Sequence, residues 1–141
     1  MTGQLTMELV ETSEHDAAVV RAKKYVADCY AWILANPARF CELQEVISRL
    51  HNAGAPIQQG RVQAECARLH IQLSDSTMFS HDRNLWPCLA RIMRALYPSL
   101  KKSVAIRKSA MDELEFAPLP PECLLLTVLQ PGRTITRKDW E

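Results

Sequence analysis

The sequence predicts a mainly α fold: a small helical domain with a helix-turn-helix-like core, a short β-wing and a C-terminal β-hairpin. Three observations lead there. Apolar residues recur at three- and four-residue steps through several separate stretches, the signature of one buried helical face. Turn formers such as Asn36-Pro37, Gly54, Pro56 and Tyr97-Pro98 punctuate those stretches. The chain has 141 residues, 48% of them apolar and 23% charged, which suits one globular domain and excludes a fibrous chain, a fully disordered chain or a large multi-domain enzyme.

Taken in order, residues 1–12 read as a loose acidic arm. Ser13-Glu14-His15-Asp16 resembles a capping box, and Val19, Ala22, Val26, Cys29, Tyr30 and Ile33 then line one face of a helix over roughly 14–35. Asn36 is placed to cap the next helix, with Pro37 in its first position. Phe40, Leu43, Val46, Ile47 and Leu50 form that helix's stripe, which Gly54 and Pro56 end. A third helix is expected from about Gln58 to Leu69, with Val62, Cys66 and Leu69 inward. His70-Ile71-Gln72-Leu73 alternates like a short strand, and residues 74–81 are turn-like. Asp82 or Asn84 can cap a fourth helix that carries Leu85, Leu89, Ile92, Met93 and Leu96 inward and stops at Tyr97-Pro98. Residues 99–114 fit either a helix or a short strand at Val104-Ala105-Ile106. The helical domain is therefore drawn over 13–116. A Pro-rich linker (Ala117 to Pro121) opens the last segment, 117–141, in which the run Cys123 to Leu129 and Thr134-Ile135-Thr136 read as a hairpin about Gln130-Pro131-Gly132-Arg133.

The formal net charge of +1 is a misleading average. Residues 1–16 carry −4, residues 17–56 carry +2, residues 57–111 carry +6 and residues 112–141 carry −3. Between Arg83 and Met111 there are seven basic residues and no acidic one: Arg83, Arg91, Arg94, Lys101, Lys102, Arg107 and Lys108. A single-sign run of this kind suits phosphate contact, because each neutralised phosphate releases condensed counterions. It also suits an ordinary solvated face.

The helices on either side of Gly54-Ala55-Pro56-Ile57 have the helix-turn-helix rhythm, in which the second helix leads into the major groove with its N-terminal residues. Those residues are Gln58, Gln59, Arg61 and Gln63, with Arg68 further on. Gln suits adenine edges, and Arg suits guanine. The plainer alternative is an αα-hairpin in a small bundle, and Gly60 weakens the helix by about 1 kcal/mol. Arg61-Val62, Glu65, Arg68, Trp86, Ala90-Arg91-Ile92, Pro98 and Arg107-Lys108-Ser109 together resemble small phage and prophage proteins of helix-turn-helix, winged-helix-like type. The resemblance implies a mobile-element origin and carries over no catalytic residue.

Other chemistry has weaker support. Cys66 and His70, with His81 and Cys88, lack the paired spacing of a structural zinc site. Nothing distinguishes one of the five cysteines as a nucleophile, and no phosphate-binding glycine loop is present. Asp112, Glu113 and Glu115 read as a solvated run, and Trp32, Trp86 and Trp140 as core or interface anchors. The odd number of widely spaced cysteines, four of them within expected helices, fits free thiols in a cytoplasmic protein. The opening residues do not read as a signal peptide, and no run is long enough to span a membrane. The expectation is a non-enzymatic protein without cofactor or metal. It would bind double-stranded DNA as a regulator or accessory factor, as a homodimer. The alternative is an inhibitor or adaptor that binds a host protein, such as a nuclease complex, through its basic band or acidic ends.

Overall fold

A computed structural model describes residues 2–69, 85–125 and 129–141, with residues 2–12 as helix backbone only. Its regular elements are α1 (Thr2–Ala35), α2 (Pro37–Asn52), α3 (Gln59–Arg68), α4 (Trp86–Leu96) and the single turn α5 (Arg137–Trp140). Three short 3₁₀ turns, at Pro98–Lys102, Ala110–Glu113 and Pro121–Cys123, are also present among the described residues. The fold is mainly helical, as the periodicity predicts.

The expected acidic arm is helical: α1 begins at Thr2, and Ser13 lies inside it. No proline interrupts residues 2–13, and Gln4, Leu5, Met7, Glu8 and Leu9 are good helix formers. Propagating an existing helix costs far less than nucleating one, so a capping-box pattern does not stop it. Asn36 also behaves differently from expectation. Its side chain makes no cap on α2 but donates back to the Trp32 carbonyl at 2.9 Å, closing the end of α1. Pro37 starts α2 as expected.

Helix α2 buries Phe40, Leu43, Val46, Ile47 and Leu50, the predicted stripe, together with Gln44. It ends in a Schellman motif. Gly54, at φ +73, donates to His51 O at 2.9 Å, and Ala55 donates to Leu50 O at 3.0 Å. Helix α3 then packs on α2 through Val62 and Cys66. Helix α4 starts at Trp86-Pro87 and buries Leu89, Ile92, Met93 and Leu96 as predicted, with Leu85 buried ahead of it. Its expected caps, Asp82 and Asn84, lie outside the described residues.

The wing and the hairpin do not appear among the described residues. His70 to Leu73 lie outside them, and Val104 forms an isolated parallel bridge with Ile57 instead of a wing strand. Ile135 pairs antiparallel with Phe116, through N–H to O distances of 2.8 and 2.9 Å, and not with the described residues of the expected hairpin partner, 123–125 and 129. Cys123 is held in a 3₁₀ turn, buried with its carbonyl on Gln44 Nε2 at 2.7 Å. Burial decides this pairing: Phe116, Ile135 and Trp140 enter the same core cluster as α1–α4, and Phe116 stacks on Trp140 with ring centroids 4.7 Å apart. The ambiguous stretch 99–114 is neither a long helix nor a strand, but two 3₁₀ turns joined by extended chain. Gln44 is the buried polar hub that joins α2 to the C-terminal segment. It donates to Phe40 O and Cys123 O, and its Oε1 accepts from Tyr97 Oη at 2.7 Å.

Candidate nucleic-acid interface

The turn between α2 and α3 is pinned to the chain that follows α4. His51 Nδ1 and Ser103 Oγ are 2.6 Å apart, and Ile57 N–H donates to Ser103 O at 3.0 Å. With the Ile57–Val104 bridge, these contacts lay residues 103–109 beside the start of α3. A groove of about 490 Å³ lies between them. Gln58 and Gln59 line it at the start of α3, Trp86, Pro87, Ala90 and Arg91 from α4, and Ala105, Ile106, Arg107 and Ser109 from the crossing segment. The first residues of the candidate reading helix thus share one concavity with Arg107, which lies 48 positions further along the chain.

The predicted contact residues divide sharply. Gln58, Arg61 and Gln63 are exposed and Gln59 is half-buried. Lys102, Arg107 and Lys108 are exposed and Lys101 is half-buried. Arg68 is exposed but bonds to Glu65 through Nε at 3.0 Å and through a second guanidinium nitrogen. The Arg68 hydrogen bond holds the Glu65 carboxyl below its usual range. Arg94 is half-buried. Its Nε is enclosed and has no hydrogen-bond partner among the described residues, and burial together with the nearby Arg91 lowers its proton affinity. Arg83 lies outside the described residues.

Arg91 is the clear correction. It borders the groove but is only 1% exposed, with its donors turned into the protein rather than toward a phosphate. Each of its three guanidinium nitrogens donates a hydrogen bond within the protein. Nε donates to Asp112 Oδ1 at 2.8 Å, one terminal nitrogen to Pro87 O at 2.9 Å and the other to Arg107 O at 2.7 Å. Helix α4 is enclosed nearly all round, and a cation there is tolerable only with its donors satisfied. Asp112 is correspondingly not a solvated acid. Burial pushes its carboxyl up, but the bonds from Arg91, the Ser109 N–H and Trp140 Nε1 outweigh that and hold it at about 2. Ser109 and Asp112 also form a reciprocal capping box on the 3₁₀ turn Ala110–Glu113. The buried cluster therefore fixes residues 107–112, and with them the direction in which Arg107 and Lys108 leave the core.

Sequence reasoning missed this support. The spacing Ser109-x-x-Asp112 is a capping-box signature that would have separated Asp112 from its acidic neighbours. Of the three tryptophans, Trp140 is buried in the core, while Trp32 and Trp86 pack partly against it. All five cysteines are free, and four are buried. Burial raises the thiols of Cys66, to about 11, and of Cys88. His70 and His81 lie outside the described residues. Among the described residues no helix is long and apolar enough to cross a membrane. Compared with protein-family models, with curated proteins and with solved structures, the chain matches none.

Proposed function

We propose that this chain binds duplex DNA and acts by binding alone, as a small regulator or accessory factor. The start of α3 would lie in the major groove, with Gln58, Gln59, Arg61 and Gln63 toward base edges. Lys102, Arg107 and Lys108 would hold the flanking phosphates. The observation that supports this reading is the groove joining Gln58 and Gln59 to Arg107. It puts hydrogen-bonding side chains suited to bases beside a fixed cationic segment, while Arg91 serves as internal support. Gln and Arg at a helix start supply the donor and acceptor geometry that adenine and guanine present.

Fluorescence anisotropy with labelled duplexes over a salt series tests it. Three phosphate contacts predict a log–log salt slope of roughly −3, each contact contributing about −0.9. Substituting Arg107→Ala is expected to flatten the slope by about one. An absence of binding at low salt, or binding insensitive to salt, overturns the reading.

A further inference from the structure

Helix α1 presents a face that no other described residue covers. Ala17, Val20, Lys24, Ala27, Ala31 and Leu34 recur at alternating three- and four-residue steps, and all are exposed, Val20 at 66% and Leu34 at 53%. The spacing is that of a helix-pairing seam, and at 1.5 Å per residue it runs for about 25 Å. Beside it lies an apolar groove of about 660 Å³, walled by Lys23, Val26, Tyr30 and Leu34 on one side and by Glu113, Leu114 and Glu115 on the other. An exposed apolar face of this length beside a groove marks an interaction site.

The charges flanking the seam select the occupant. We infer that this face binds a second copy of the same chain, with the two α1 helices packed antiparallel about a twofold axis. In that register Ala17 faces the partner's Leu34, Val20 faces its Ala31, and Lys24 faces its Ala27. On one flank Arg21 meets Asp28 of the partner subunit, and the symmetry repeats the pair. A parallel arrangement would stack Lys24 directly on its own copy, and like charges at a seam position are unfavourable. Two-fold contacts of this self-complementary kind are the commonest way for a small protein to cover such a face.

The test is solution mass by light scattering at micromolar concentration on the full chain, alongside far-UV circular dichroism and melting temperature. The wild type is expected at twice the single-chain mass of 16.0 kDa. Leu34→Glu and Ala27→Arg change exposed side chains, so both should fall to single-chain mass with unchanged dichroism. Arg21→Asp and Asp28→Arg should each lose the dimer when alone, and an equimolar mixture of the two should regain it. A wild type that stays at single-chain mass overturns the inference. So does a dimer that survives Leu34→Glu, or a charge-reversed mixture that stays monomeric. Mass is read without DNA, so the outcome stands apart from that of the binding assay.

Discussion

The basic run of this protein divides into two regions with the same charge and opposite fates. Arg91, on α4, is buried and spends its donors on Asp112, Pro87 and Arg107. Lys102, Arg107 and Lys108, on the chain after α4, point into solvent. Arg91 supports the fold, and the later residues are free to meet a ligand. The two regions are coupled, because the Arg91 guanidinium holds the Arg107 carbonyl. A cation count along a sequence therefore overstates a binding surface wherever a helix is enclosed on all sides.

The comparison breaks most easily at the buried pair. Asp112→Ala leaves Arg91 as an uncompensated buried charge, and a loss of about 3–5 kcal/mol in chemical denaturation is expected. The double replacement Arg91→Met with Asp112→Leu should recover most of that, because it removes both charges together. If Asp112→Ala costs no more than an exposed pair would, Arg91 is not the support described above. The outward region should respond in the opposite way. Arg107→Ala with Lys108→Ala is expected to weaken DNA binding by about tenfold, roughly 1.4 kcal/mol, and to leave the melting temperature unchanged.

Acid sharpens the contrast further. Asp112 titrates at about 2 in the folded chain, below its ordinary 3.8, so its stabilisation is complete above roughly pH 4. As pH falls from about 4 to 2 the unfolded chain takes up this proton first, and on the order of 1–2 kcal/mol is lost. Asp112→Asn should flatten that part of a stability–pH curve, whereas Lys108→Ala should leave it unaltered. The smallest effect is expected at Gly54, whose φ of +73 is the left-handed conformation that a Cβ disfavours. No described residue lies within 4 Å of an added Cβ, so Gly54→Ala should cost only the backbone strain, about 1 kcal/mol by thermal melting.

Part of this division was legible in the sequence. By charge alone Arg91 reads as a phosphate contact, yet it stands between Ala90 and Ile92 in a helix whose residues are nearly all apolar, a setting in which a cation is rarely buried unpaired. Its partner was harder to find. Asp112 lies 21 positions away and looks like one of three surface acids until its spacing from Ser109 is noticed. The exposed members of the candidate site, Gln58, Arg61 and Gln63, followed from the turn at Gly54 and the helix after it. That Arg107 would line the same groove did not, because it depends on Ser103 and Val104 docking against His51 and Ile57.

Sequence alone determined what local sterics and hydrogen bonding govern. The break at Asn36-Pro37, the left-handed Gly54 and the stop at Tyr97-Pro98 are set by residues within one turn of each other, as are the buried faces of α2, α3 and α4. Tertiary structure decided which long-range partners met. Ile135 pairs with Phe116, and that pairing buries both beside Trp140. Arg91 turned inward because α4 is surrounded and Asp112 was brought within 2.8 Å. Local pattern specifies where a helix bends or ends. Whether a charge faces water or a counter-charge depends on what packs over it, and distant segments supply that.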